Sequence, residues 1–270
     1  MSSEQPAEFT KENIDLYLKE LSKEYRKMVG KAMPAELILI GGASVLINYG
    51  FRNMTTDIDA VIRAASAMKD AIARIGDRFG LPKDWLNTDF TKTGSFSPKL
   101  EEVCKHYRTF SNSVSVWTIS EEYLIAMKLR SGRQYKSDLS DVIGILYEHQ
   151  KRGDPIDMNE IRNAVTDLYG SWDALPEPSQ AFIENVMRRE QLSQLYTETV
   201  SAETETKDLL VQFEQDYPGK MKASNVDSIA GELQKKTDRA SVLAQLRKRQ
   251  QATENGQPPV RKLNRDDLER

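Results

Sequence analysis

The segment LILIGGASVLINYGFRNMTTDIDAVI, residues 37–62, determines how the rest of the chain is interpreted. An apolar run leads into Gly41 and Gly42, and a second apolar run contains Asp57 and Asp59. The pattern predicts a buried strand, a glycine turn, a short helix and a second buried strand. Two carboxylates inside a buried strand are costly unless a partner neutralises them.

The two aspartates are separated by one residue, so on a strand they point to the same face. Their like charges disfavour each other at this spacing. A divalent cation is the simplest partner, because Mg²⁺ prefers oxygen ligands and commonly takes one or two carboxylates together with substrate phosphates. We therefore expect Asp57 and Asp59 to bind Mg²⁺ and to be catalytic, since such ions activate an attacking oxygen and neutralise leaving phosphates.

The diglycine suits a phosphate site. Gly41 and Gly42 allow the backbone to come close to a bulky anion. The helix expected to begin near Ala43 or Ser44 offers free N–H groups and the positive end of its dipole. Ser44 adds a hydroxyl donor, so we expect Gly41, Gly42 and Ser44 to bind the β- and γ-phosphates of a nucleotide.

A second group of charged residues lies in YLIAMKLRSGRQYKSDLSDVIGIL, residues 123–146. Lys128, Arg133 and Lys136 precede Asp138 and Asp141. The two aspartates are three residues apart and share a face of the predicted helix. The basic side chains could bind the phosphates of a nucleoside triphosphate. The alternative is that they form ordinary salt bridges on the surface of a helix.

The first segment resembles the signature of the nucleotidyltransferase superfamily with the polymerase-β-type fold: a Gly-Gly turn, a short helix and Asp-x-Asp. The second resembles a motif of the AbiEii-like toxin nucleotidyltransferases and of a related, uncharacterised nucleotidyltransferase family. The resemblance implies an α+β fold, with a mixed sheet, flanking helices and a C-terminal helical region. It also implies that Lys128 contacts the nucleotide, and that Asp138 or Asp141 either positions Lys128 or takes the acceptor proton.

Polymerase-β-type enzymes usually carry a third carboxylate on a later strand. The strand predicted over 113–119, SVSVWTI, contains no acid. Either one metal alone binds well or another acid takes this place, the candidates being Asp138, Asp141, Asp89 and Glu121.

The chain is divided into a nucleotidyltransferase domain with an N-terminal helix over 1–150, a helical domain over 151–250 and a tail over 251–270. The tail is predicted to be mobile because it has few apolar residues and a Pro-Pro pair. The polar stretch 83–111 is predicted to be irregular, with Trp85 either in the core or stacked on a base.

Composition restricts the cellular setting. The 270 residues carry a net charge of −3, which excludes a global basic field but leaves room for a local basic patch. Cys104 is the only cysteine, the start lacks an apolar leader, and no apolar run approaches the ~20 residues of a membrane helix. We therefore expect a cytoplasmic protein. The two histidines, His106 and His149, are too isolated in the sequence to form a metal cluster.

The leading functional hypothesis is transfer of a nucleoside monophosphate from an NTP to an acceptor hydroxyl, with release of pyrophosphate. By resemblance, the protein is a toxin of a toxin–antitoxin or phage-defence system, with tRNA or another RNA as acceptor and a cognate antitoxin as partner. An antibiotic-type transferase that modifies a small molecule is the enzymatic alternative. A catalytically silent fold that binds a partner, as an antitoxin or regulatory module, is the third.

Overall fold

The computed structural model describes residues 8–133, 135–222 and 224–236. The described chain forms two compact units, the first ending at Glu203 and the second beginning at Thr204. The tail predicted over 251–270 lies outside the described residues. The helices and strands are α1 (Lys11–Val29), β1 (Ala35–Leu39), α2 (Gly41–Asn48), β2 (Ile58–Arg63), α3 (Ala67–Phe79), β3 (Leu86–Asn87), β4 (Cys104–Phe110), β5 (Val114–Ile119), α4 (Glu121–Ser131), α5 (Asp138–Arg152), α6 (Met158–Tyr169), α7 (Glu177–Met187) and α8 (Leu192–Asp216).

The described strands form one mixed sheet in the order β3-β2-β1-β5-β4. The central strand β1 pairs antiparallel with β2 and parallel with β5. Leu39 of β1 stands opposite Ala60 of β2, and the N–H of Ile40 donates to the carbonyl of Asp59 at 2.9 Å. The end of β1 therefore lies beside the start of β2, which brings the diglycine next to the Asp-x-Asp pair.

The sheet is covered on both faces because side chains alternate along its strands. Leu37 and Leu39 pack against α1 and α3, whereas Ile38 faces the opposite way, toward α4 and α5. These layers confirm the predicted α+β class with a mixed sheet and flanking helices. No helix among the described residues is both long enough and apolar enough to cross a membrane.

The helical region that follows the sheet shares its core. Ile161, Val165 and Ile183, from α6 and α7, belong to the same cluster of buried residues as α4 and α5. A separate helical domain was predicted to start at 151, but in the structure the first compact unit continues to Glu203. The reason is that α4 packs against α5, α6 and α7. Its buried residues also belong to the same hydrophobic cluster as Ile38 of β1 and Val61 of β2.

Three strands, β2, β3 and β4, differ from the predicted ones; β3 is a short strand within 83–111 that pairs parallel with β2. β2 begins at Ile58 instead of residue 56, so Asp57 lies in the turn before the strand and is exposed. β4 forms within the stretch 83–111, which was predicted to be irregular, by pairing antiparallel with β5. Trp85 is fully buried and donates its indole N–H to the carbonyl of Ile72, so it belongs to the core and does not stack on a base.

Candidate active site

Asp59 faces the diglycine. It is the second residue of β2, its carboxylate is half-buried, and its Oδ2 lies 4.0 Å from the position that a Cβ on Gly41 would occupy. Asp57 precedes it from the exposed turn. Within the described residues neither carboxylate makes an ion pair, so both remain available to a cation.

The electrostatics of this pair favour a cation. Burial, and then the negative charge of Asp57, raise the pKa of Asp59 to about 6. The charges of Lys136 and Arg133 oppose this effect, whereas that of Asp89 adds to it. A carboxylate that is destabilised by burial and by a neighbouring acid is stabilised when it binds a positive ion.

The diglycine forms the first turn of α2, with Ile40 as the residue before it. Gly41 has a φ of +57°, a conformation that favours glycine. A Cβ on Gly42 would lie 2.7 Å from Oγ1 of Thr55 and 3.0 Å from Nη2 of Arg52. The helix therefore starts earlier than predicted, and the unpaired N–H groups of its first turn belong to the glycines themselves.

Ser44 does not take part as predicted. It is fully buried, and its Oγ accepts a hydrogen bond from the N–H of Ile119 in β5 at 3.1 Å. The hydroxyl therefore holds α2 against the sheet. A side chain inside this interface has no access to a bound phosphate, so we leave Ser44 out of the site.

Lys128 lies at the centre of a buried ionic network. Its side chain, on α4, projects between two aspartates in the first turn of α5, with Nζ 2.9 Å from Oδ1 of Asp138 and 2.8 Å from Oδ2 of Asp141. Lys128 is 6% exposed, and both aspartates are buried more completely. Arg133 adds a bond from Nε to Oδ2 of Asp138 at 2.8 Å. The alternative of an ordinary surface salt-bridge pattern does not describe these three buried groups.

The network keeps Asp138 and Lys128 charged. Burial by itself raises the pKa of Asp138, but the charges of Lys128 and Arg133 outweigh it and hold that pKa well below its ordinary value. Burial lowers the pKa of Lys128, and the two aspartates more than reverse this. A carboxylate with a lowered pKa is a poor base, so the arrangement favours the hypothesis that Asp138 positions Lys128 over the one in which it takes a proton.

Arg52 connects the two motifs, and the sequence reasoning missed it. Its Nη1 forms an ion pair with Oδ2 of Asp141 at 2.5 Å, while its Nη2 lies against Gly42. Its Nε also donates to the carbonyl of Met54 at 3.0 Å, which fixes the guanidinium. The only signal in the sequence was one basic residue between the diglycine and Asp57. The diglycine, Arg52, Asp141 and Lys128 therefore form one continuous site.

The model of a protein family described as "Nucleotidyltransferase of unknown function (DUF6036)" matches residues 17–172, more than half of the chain. The chain belongs to this family. The match contains both motifs and confirms the resemblance to nucleotidyltransferases. Neither a search of curated proteins nor a search of solved structures found a match.

The sequence left four candidates for a third carboxylate. Asp138 and Asp141 are held by Lys128, and Glu121 forms an ion pair with Lys105 at 2.5 Å. The negative charge of Asp89, the fourth candidate, raises the pKa of Asp59. No three or more His, Cys, Asp or Glu side chains in the described part of the chain are grouped to hold a metal by themselves.

Proposed function

We propose that the protein is a Mg²⁺-dependent nucleotidyltransferase that transfers a nucleoside monophosphate from an NTP to an acceptor hydroxyl. The acceptor oxygen bonds to the α-phosphorus and its proton passes to solvent, as the bond from the α-phosphorus to the oxygen bridging to the β-phosphate breaks and pyrophosphate leaves. The observation that carries this proposal is the position of Arg52. Its guanidinium lies beside Gly42 and pairs with Asp141, so the diglycine next to Asp59 and the buried lysine would serve the same ligand.

Asp57 and Asp59 would hold the Mg²⁺ ion. The fit rests on two carboxylates without ion-pair partners among the described residues, one of them with its pKa raised to about 6. Two protein carboxylates suffice for Mg²⁺ when substrate phosphates complete its ligands. The bound ion would supply charge neutralisation at the phosphates and activation of the acceptor oxygen.

The phosphates would lie between the first turn of α2 and the second motif. The N–H groups of Gly41 and Gly42 belong to the first turn of α2, where N–H groups have no partner within the helix and favour an anion. The Lys128 ammonium has three donors, of which Asp138 and Asp141 use two. Lys136 is exposed and close enough to influence Asp59, as is Arg133, so both add positive charge near the γ-phosphate. This is catalysis by placement and electrostatics.

The acceptor in this proposal is RNA, with tRNA as the first candidate. The support is the resemblance of residues 123–146 to the AbiEii-like toxins. The protein would then act as a cytoplasmic toxin in a toxin–antitoxin or phage-defence system, and a cognate antitoxin would bind it.

The test is incubation with Mg²⁺, each α-labelled NTP in turn, and either total tRNA or a set of hydroxyl-bearing antibiotics. We expect label in tRNA with the unchanged protein and none with Asp57→Ala. Asp77→Ala is the matched control, because it removes an exposed acid from α3. Label in an antibiotic instead of RNA would show that the acceptor is a small molecule and would leave the proposed transfer reaction unchanged. If no acceptor carries more label than it does with Asp57→Ala, the proposed transferase activity is rejected.

A binding module without catalysis is the second candidate. It is favoured by β5, which carries no acid where polymerase-β-type enzymes carry their third carboxylate. Calorimetry with Mg²⁺ and an NTP separates the two candidates. Nucleotide binding that depends on Asp59 supports the enzyme, whereas no nucleotide binding together with tight association of a partner protein supports the module.

A further inference from the structure

Glu203 of α8 lies beyond residue 172, where the family match ends, yet it contacts the second motif. Its Oε1 accepts hydrogen bonds from the backbone N–H of Leu139 at 3.0 Å and of Ser140 at 3.2 Å. Glu203 is 7% exposed, so these bonds form away from solvent. A buried acid therefore satisfies two backbone donors that belong to another helix.

Those donors belong to the first turn of α5. The first N–H groups of a helix have no partner within the helix and usually bond to a side chain just before it. Here Ser137 precedes the helix, and its side chain makes no capping hydrogen bond among the described residues. Glu203 supplies the cap from more than sixty residues away. The orientation of this turn matters because Asp138 and Asp141 project from it toward Lys128.

The same face of α8 also contacts the segment that carries Arg52. Tyr196 lies seven residues, or about two helical turns, before Glu203. Its hydroxyl donates to the carbonyl of Phe51 at 3.4 Å, and its ring meets that of Phe51 edge-on, with the centroids 5.6 Å apart. α8 therefore contacts the residue next to Arg52 through Tyr196 and the first turn of α5 through Glu203. Arg52 and Asp141, which form an ion pair, directly follow Phe51 and Ser140 in the sequence.

We propose that Glu203 is a positioning residue of the nucleotidyl-transfer site. It holds the first turn of α5 in place, and through Asp138 and Asp141 it holds the ammonium of Lys128. The expected change in KM rests on the proposed function, whereas the expected changes in hydrogen exchange and in acylation of Lys128 do not.

Three variants test this role. Glu203→Ala removes the acceptor, and Glu203→Gln keeps an oxygen of the same reach without the charge. Burial raises the pKa of Glu203 to about 7, so its neutral form is well populated near neutral pH and glutamine resembles it. Glu198→Ala is the control, because Glu198 is an exposed acid on the same helix.

The first measurements need no enzymatic activity. Hydrogen exchange measures how fast the backbone amides of Leu139 and Ser140 exchange with solvent. Acylation followed by peptide mass spectrometry measures the reactivity of Lys128. With Glu203→Ala we expect exchange of both amides and acylation of Lys128 to rise at least about tenfold. Glu203→Gln and Glu198→Ala should match the unchanged protein. If Glu203→Ala does not fold, Glu203→Asp replaces it, since its shorter side chain withdraws the acceptor and the same rise is expected.

The kinetic measurement separates positioning from loss of folded protein. Glu203→Ala should raise the KM for the NTP at least about tenfold, and Glu203→Gln should restore it. Partial unfolding alone would lower kcat and leave KM unchanged. The proposal is overturned if Lys128 stays protected in Glu203→Ala, or if Glu203→Gln is as impaired as Glu203→Ala. If the unchanged protein transfers no label, the proposed function fails, and exchange and acylation still decide the role of Glu203.

Discussion

At the scale of single residues, Lys128 and Lys136 differ although both are lysines in one motif. Lys128 is buried between two carboxylates, whereas Lys136 is exposed. Removing one partner from a buried ionic network leaves the others with less compensation, while an exposed charge contributes little to stability. The two lysines should therefore separate folding from ligand binding.

Lys128→Met is expected to lower the free energy of unfolding by about 3 kcal/mol, because Asp138 and Asp141 lose their shared cation. Lys136→Met is expected to leave it unchanged within about 0.5 kcal/mol. Urea unfolding followed by circular dichroism measures both. Equal stability of the two variants would show that the buried network contributes nothing to the fold.

At the scale of elements, α5 is shaped by what packs on it. Gly144 lies in the middle of this helix, where glycine is unfavourable by about 1 kcal/mol relative to alanine. A Cβ there would lie 2.6 Å from the ring of Phe51. The glycine allows Phe51 to pack on α5, and Phe51 is followed by Arg52, so this packing helps to place the guanidinium.

Gly144→Ala is expected to destabilise the protein by about 1–3 kcal/mol, despite the better helix propensity of alanine, because the methyl group overlaps Phe51. Gly50→Ala is the control, since a Cβ at Gly50 meets nothing within 4 Å. Thermal unfolding of both variants gives the comparison. A stabilised Gly144→Ala would mean that helix propensity outweighs the contact with Phe51.

The cap that α8 places on α5 predicts a pH dependence. Burial raises the pKa of Glu203 from an ordinary 4.5 to about 7. Between these values the folded protein keeps a proton that the unfolded chain releases, so the free energy of unfolding falls as pH rises. The fall should be on the order of 2 kcal/mol and should be absent in Glu203→Gln. Urea unfolding near pH 5 and pH 8 measures it, and the same slope in both proteins would contradict the expectation.

At the scale of the whole molecule, the proposed site draws on segments far apart in the chain: the diglycine, the turn at Asp57, α4, α5 and α8. A ligand that binds the site assembled from these segments is bound by the folded protein alone. It therefore adds to stability in proportion to its affinity and concentration.

Mg²⁺ with a non-hydrolysable NTP is expected to raise the unfolding temperature by several degrees, since about 2.7 kcal/mol is gained at a hundredfold excess over Kd. The shift should require both components. It should vanish when Asp57 and Asp59 are both replaced by alanine, and persist in Asp77→Ala. An equal rise in the unfolding temperature without Mg²⁺ would show that nucleotide binding does not need the metal.

The elements most accessible from sequence were those with strong local patterns. The amphipathic period of α1 and the apolar run of β1 were recognisable because each element buries one face or both. β4 was missed because it is an edge strand with mostly exposed side chains and lacks an alternating apolar pattern. Its strand conformation comes from pairing with β5, which no local pattern in 83–111 indicated.

The sequence by itself determined the two candidate motifs, because Gly41-Gly42, Asp57-x-Asp59 and the Lys128–Asp141 segment are recognised by short-range spacing along the chain. Only the tertiary structure decided that Ser44 is buried, that Arg52 joins the motifs and that Glu203 caps α5. These outcomes depend on hydrogen bonds and ion pairs between residues that are far apart in sequence and meet when the sheet and helices pack. A lone arginine or glutamate carries no local pattern that predicts such a partner.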